Sequence, residues 1–149
     1  MFKKILVLLA VLMMLSAPCF ARDAFKGTVI AETRLDADPT SVTSSGVDVS
    51  QYDKVAFWVT YDETESGGGV SMDITLEISY DNVTWLSAKF YDYTGAATLQ
   101  TTENLAADAS YYFYWNRDLN IPWARVKCVG NATDADDLID VTVNYSAQK

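Results

Sequence analysis

The sequence predicts an all-β protein, a single antiparallel β-sandwich of jelly-roll or immunoglobulin-like type with about eight strands. Two observations carry this. After residue 21, apolar residues recur at every second position through segment after segment, and no long helical period appears. Turn-forming residues interrupt that alternation at short intervals, as tight connections between antiparallel strands require.

The first element is not part of the sandwich. Lys3 and Lys4 precede an apolar run from Ile5 to Leu15, and Cys19-Phe20-Ala21 follows as a cleavage-like site. This three-part order is that of a secretory signal peptide. The run falls short of the roughly 20 apolar residues that a spanning helix needs, so no stable membrane span is expected after cleavage behind Ala21. Pro18 stands where a lipobox wants a small residue before the cysteine, which argues against lipidation of Cys19. The expected organisation is a signal peptide over residues 1–21 and one β-sandwich domain over residues 22–149, located outside the cytoplasm, in the periplasm or secreted.

The strands are expected as follows. Thr28 to Arg34 is the first, and a Ser/Thr-rich turn region runs from Pro39 to Gly46. Lys54 to Tyr61 places Val55, Phe57, Val59 and Tyr61 on one face, with Ala56, Trp58 and Thr60 on the other. Ser71 to Tyr80 is the clearest strand, with Met72, Ile74, Leu76, Ile78 and Tyr80 opposing Asp73, Thr75, Glu77 and Ser79. An acidic, Gly-rich connection, Glu63 to Gly69, lies between these two. Asp81-Asn82 makes a turn into Trp85 to Phe90; Thr98 to Thr102, Tyr111 to Trp115, Ala124 to Val129 and Leu138 to Tyr145 complete the set.

Charge and cysteine content limit the partners. The chain has 11 basic and 20 acidic residues, and the leader removes two lysines and no acid, leaving 9 against 20, a net −11. Such a surface repels nucleic acid and anionic lipid. Of the two cysteines, Cys19 leaves with the signal, so Cys128 has no partner in its own chain. It shares an alternating face with Ala124 and Val126, which predicts a buried, inert thiol, the alternative being a disulfide to another chain.

Catalytic machinery is hard to find. The chain has no histidine, which removes serine–histidine and cysteine–histidine nucleophiles and the commonest zinc ligand. No glycine-rich phosphate loop opens a helix. A carboxylate pair can hydrolyse a glycosidic bond, but 20 acids make some close pair nearly inevitable, and no enzyme is expected. Asp134, Asp136 and Asp137 form a candidate calcium loop, since hard cations gather carboxylate oxygens; Asp36 and Asp38 make a weaker one. No other cofactor is indicated.

Aromatic residues are the surplus. Tyr111-Tyr112-Phe113-Tyr114-Trp115 must place rings on both faces of its strand. With Tyr111, Phe113 and Trp115 inside, Tyr112 and Tyr114 stand outside, or the reverse. Tyr91 and Tyr93 similarly oppose Phe90. Exposed rings stack on sugar faces, which makes Tyr91, Tyr93, Tyr112, Tyr114 and Trp123 candidates for a carbohydrate platform. Against this stands the ordinary preference of tyrosine and tryptophan for strands.

Ile78-Ser79-Tyr80-Asp81-Asn82-Val83-Thr84-Trp85, followed later by Trp123-Ala124-Arg125-Val126-Lys127, resembles a pattern of small phage and prophage β-sandwich proteins. In those, a strand ends in a Ser-x-Asp-Gly-x-x-Trp turn and a later strand reads Tyr-x-Arg-Val. Val49 to Val55 is similar to their entry into an early strand. Asn82 replaces the turn glycine, and asparagine also accepts positive φ. Similar turns occur in discoidin-like and other carbohydrate-binding sandwiches. The resemblance implies a sandwich with a non-catalytic role. The expected function is an exported structural or interaction module with a protein partner or self-association; the alternative is a carbohydrate-binding module with polysaccharide as its partner.

Overall fold

A computed structural model of the chain describes residues 24–35, 40–63, 70–92, 99–106, 109–117, 120–131 and 138–149. The expected signal peptide therefore lies outside the described residues, as do Tyr93, Asp36, Asp38 and the candidate calcium residues Asp134, Asp136 and Asp137.

The described residues form twelve strands in two antiparallel sheets packed as a β-sandwich. Sheet A runs in the order β1 (Ala24–Leu35), β12 (Ile139–Gln148), β4 (Lys54–Glu63), β10 (Ala109–Asn116), β7 (Phe90–Asp92), β8 (Leu99–Gln100). Sheet B runs in the order β2 (Ser41–Thr43), β11 (Trp123–Asn131), β5 (Ser71–Ser79), β6 (Leu86–Ala88), with β3 (Val47–Asp48) also on β11 and β9 (Thr102–Leu105) also on β5.

Alternation explains the core. Val55, Phe57, Val59 and Tyr61 of β4 turn inward, as do Ile139, Val141 and Val143 of β12, and all are buried. From sheet B come Met72, Ile74 and Leu76 of β5 with Ala124, Val126 and Cys128 of β11. Phe113 sits at the centre of the aromatic packing, 5.0 Å from Phe90 and 6.2 Å from Phe57 between ring centroids. In β10 the question of faces is settled: Phe113 and Trp115 are buried, and Tyr112 is exposed. Cys128 is a free, fully buried thiol, and desolvation pushes its pKa up to about 12.

The structure has four more strands than expected, and each has a physical source. The Ser/Thr-rich region read as a turn contributes β2, which pairs with β11 through Val42 opposite Cys128. Val47–Asp48 adds β3 on the same strand. Trp85 to Phe90 is two strands rather than one: β6 pairs with β5 in sheet B, and the chain then crosses so that β7 pairs with β10 in sheet A. Thr98 to Thr102 divides likewise, β8 joining β7 and β9 joining β5. These two crossings close one flank of the sandwich.

Tyr80 is a further correction. It was expected to continue the inner face of β5, yet it is 68% exposed while Ser79 is buried. Ser79 turns inward because its hydroxyl engages Asp81, and the alternation slips by one residue at that point.

Candidate functional site

The outward residues of sheet A lie in rows set by strand register. One row reads Thr28, Asn144, Trp58, Tyr112 across β1, β12, β4 and β10. The next reads Lys26, Ser146, Ala56, Tyr114, Tyr91, the last on β7. A third places Gln148, Lys54 and Asn116 side by side. Rows are two residues apart, about 7 Å along the strands.

Register makes the rings pair. Trp58 and Tyr112 are directly opposed and stack with centroids 5.2 Å apart and planes 23° from parallel. Tyr114 and Tyr91 do the same at 5.1 Å and 15°. Cross-strand aromatic pairs of this kind stabilise a sheet by about 0.2–1 kcal/mol. Trp58 and Tyr112 nevertheless remain 43% and 45% exposed, so nearly half of each side chain is open to a partner.

Beside Trp58 lies an open concavity of about 540 Å³, lined by Lys26, Gly27, Thr28, Ala56, Trp58, Tyr112, Asn144 and Ser146 among others. A second of about 320 Å³ adjoins it through the shared Ala56 and Ser146 and continues to Lys54, Tyr114, Asn116 and Gln148. Together they make one trough with aromatic walls and a floor of small residues. The depth depends on Ala56 and Ser146, since larger side chains would fill it. Gly27 lets the Tyr145 ring lie against β1: a Cβ there would stand 2.6 Å from Tyr145 Cε1.

The polar groups of the trough are arranged for hydrogen bonding. Thr28 Oγ1 donates to Asn144 Oδ1 at 2.8 Å, which orients the amide and leaves its Nδ2 without a partner among the described residues. Asn116 Oδ1 is buried and has no hydrogen-bond partner among the described residues. A buried acceptor of this kind carries a desolvation cost that a donor from outside would relieve.

Of the residues expected to form an aromatic platform, the structure brings Tyr91, Tyr112 and Tyr114 together. Trp123 lies elsewhere, on β11 of sheet B, partly buried and opposite Ser79. Trp58 was not among the expected site residues, although alternation set it on the face of β4 opposite Val55, Phe57, Val59 and Tyr61. A tryptophan on that face was the signal. Asn144, Thr28 and Lys26 carry no such mark and emerge only from register.

Sheet B presents a different outer face. Arg125 bonds Glu77 at 2.6 Å and lies over the Trp85 ring at 4.1 Å from its centroid, so its cationic group is occupied. The Trp85 ring in turn rests on Gly46, where a Cβ would meet it at 2.9 Å. Asp81 anchors the turn that delivers Trp85: its carboxylate accepts from Val83 N, Thr84 N, Ser79 Oγ and Thr84 Oγ1 at 2.7–3.1 Å. Backbone donation from Thr84 and Val83, then Ser79, holds the Asp81 carboxyl well below the usual carboxylate range. Asn82 adopts φ 59° beside it, as the sequence predicted for this turn.

Among the described residues no cluster of three or more His, Cys, Asp or Glu side chains is placed to hold a metal ion. Among them, too, no helix is long and apolar enough to cross a membrane.

No protein-family model and no curated protein matches the sequence. Solved structures match the fold. The SPBc2 prophage-derived protein YomS is 12% identical with a TM-score of 0.59, over 90% of this chain and 100% of that one. The PBSX exported protein XepA is 15% identical with a TM-score of 0.54, over 83% of this chain but 37% of that one. A chain of infectious bursal disease virus, Gx strain, is 10% identical with a TM-score of 0.51, over 87% of this chain and 35% of that one. The chain thus spans the whole of one prophage protein and little more than a third of the other two. The resemblance to phage and prophage sandwiches carried by the Ser79–Trp85 turn holds at the level of fold.

Proposed function

We propose that this chain is an exported, non-enzymatic β-sandwich that serves as a structural or interaction module at the cell surface or in the periplasm, with the outer face of sheet A as its contact surface. The carrying observation is the pair of stacked ring sets, Trp58 with Tyr112 and Tyr91 with Tyr114, gathered from three strands onto one face. Exposed aromatic clusters are characteristic of interaction sites because flat rings bury much area at low entropic cost. Export is supported by the leader-like residues 1–21, and the fold likeness to XepA, described as an exported protein, agrees with it.

Light scattering on the mature protein tests self-association: a defined oligomer that dissociates on Trp58→Lys supports it, and a strict monomer at high concentration counts against it. Mass spectrometry of protein secreted from cells expressing the full chain tests export, with Arg22 expected as the first residue.

A second reading, a carbohydrate-binding module, is favoured by one specific arrangement. Trp58 stands next to the Asn144 amide and the Thr28 hydroxyl, so a ring wall and hydrogen-bonding groups border the same trough. Sugars present an apolar face and hydroxyl edges and need both kinds of contact. Affinity electrophoresis through polysaccharide gels tests this reading, and mobility unchanged in every gel by a folded protein overturns it for those sugars.

A further inference from the structure

The charges around the trough do not match the charge of the chain. The protein has 20 acidic residues against 11 basic ones. Yet among the described residues the trough is lined by Lys26 and Lys54 and by no carboxylate side chain. Neither lysine has an ion-pair partner among the described residues, whereas Arg34 and Arg125 are both paired. Along the same sheet the carboxylates Asp62 and Asp140 are opposed in register four residues beyond the Trp58–Asn144 pair, about 13 Å away. Asp140 is held there by Arg34 at 2.8 Å. Sheet A is therefore uneven along its strands, with the unpaired lysines and the rings at one end and Asp62 beside the Arg34–Asp140 ion pair at the other.

From this we infer that the trough binds an acidic polysaccharide, with Trp58 stacking on a sugar ring and Lys26 and Lys54 meeting its carboxylate or sulfate groups. The inference rests on the carbohydrate reading of this face and adds the charge class of the ligand. Lys54 lies four residues from Trp58 on β4, so ring and ammonium contacts are spread over about 13 Å. That span suits a chain of sugars rather than a single one. Asn144, opposite Trp58 in register, offers its Nδ2 as a donor beside the ring, a group that a sugar hydroxyl satisfies. The net negative charge does not forbid such a ligand, because at physiological ionic strength interactions fade over about 8 Å. A polymer lying along the trough meets its lysines within that distance and Asp62 and Asp140 beyond it.

The test is affinity electrophoresis of mature protein, purified from cells expressing the full chain, through matched gels. Polygalacturonate and its fully methyl-esterified form share a backbone and differ in charge; alginate and hyaluronate extend the acidic set, and dextran and hydroxyethyl cellulose the neutral one. The expected result is retardation in at least one acidic gel and at least tenfold weaker retardation in its neutral counterpart. Trp58→Ala and the double variant Lys26→Gln/Lys54→Gln each weaken the acidic retardation at least tenfold, with circular dichroism confirming that they fold. Equal or stronger retardation in neutral gels overturns the acidic preference but leaves the carbohydrate reading standing. Retardation that ignores both variants overturns this site. No retardation in any gel overturns the carbohydrate reading together with the inference.

Discussion

Ser79 and Asp81 hold one another across a single intervening residue: Ser79 Oγ donates to Asp81 Oδ1 at 2.9 Å and accepts from Asp81 N at 3.3 Å. This exchange draws Ser79 inward, sends Tyr80 out to solvent and fixes the start of the turn that ends at Trp85. It also means that the turn is built around an ionised carboxylate.

The Asp81 carboxyl titrates well below its ordinary value because four donors, Thr84 N, Val83 N, Ser79 Oγ and Thr84 Oγ1, stabilise the charge. A carboxyl with a depressed folded pKa contributes stability that is complete above its unfolded value of about 3.9 and is lost as the pH falls towards the folded one. Asp81→Asn should therefore lower the melting temperature at pH 7, and its difference from the parent should shrink as the pH falls below about 4. Calorimetry across that range checks it; a difference independent of pH would show that the charge is irrelevant.

Trp58→Ala and Tyr112→Ala should separate binding from stability. Each removes an exposed ring whose cross-strand stacking is worth about 0.2–1 kcal/mol, so chemical denaturation midpoints should move little. Contact through the sheet A face, with a partner or a polysaccharide, should weaken about tenfold or more, equivalent to about 1.4 kcal/mol. Val126→Ala, in the core, should show the opposite pattern, with lost stability and retained binding by the folded fraction.

Gly27→Ala should destabilise by about 1–3 kcal/mol, because the new methyl must displace the Tyr145 ring. The same substitution in a Tyr145→Ala background should cost much less, giving a coupling of about 1 kcal/mol or more in a double-mutant cycle. Additive effects would show that the ring and the glycine do not touch in solution.

Cys128 should resist thiol reagents in the native protein and react only at the rate of unfolding, since burial keeps it protonated and inaccessible. Cys128→Ser should cost about 1–3 kcal/mol by burying a hydroxyl without an assured partner. Rapid labelling under native conditions would contradict the fold around β11.

The long strands were legible because period 2 is a strong signal where one face is buried: Val55 to Tyr61 and Met72 to Leu76 could be assigned residue by residue. The short strands were not. Val42 between Ser41 and Thr43 offers one apolar residue, too little to separate an edge strand from a turn. Lys89 gives no sign that the chain changes sheets there, because crossing is decided by what Ala88 and Phe90 pack against. The site divides in the same way. Tyr112 and Tyr114 were visible as rings on the face opposite Phe113, but alternation alone left open which of the two faces is outward. Their pairing with Trp58 and Tyr91, and the arrival of Lys26, Thr28 and Asn144, depend on strand order, which a sequence does not print.

That order has a consequence for assembly of the fold. In sheet A, β12 lies between β1 and β4, and those two have no ladder with each other. Thr28 meets Asn144 across 116 residues of sequence and Arg34 meets Asp140 across 106. Loop closure over such separations precedes any reward from pairing, which slows folding into the range of milliseconds to about seconds. Until β12 docks, β1 has no ladder partner among the described residues and the trough lacks the strand that carries Asn144 and Ser146. The ligand face is therefore absent from every partly folded form that lacks β12, and competence to bind arrives with the closing of the sheet.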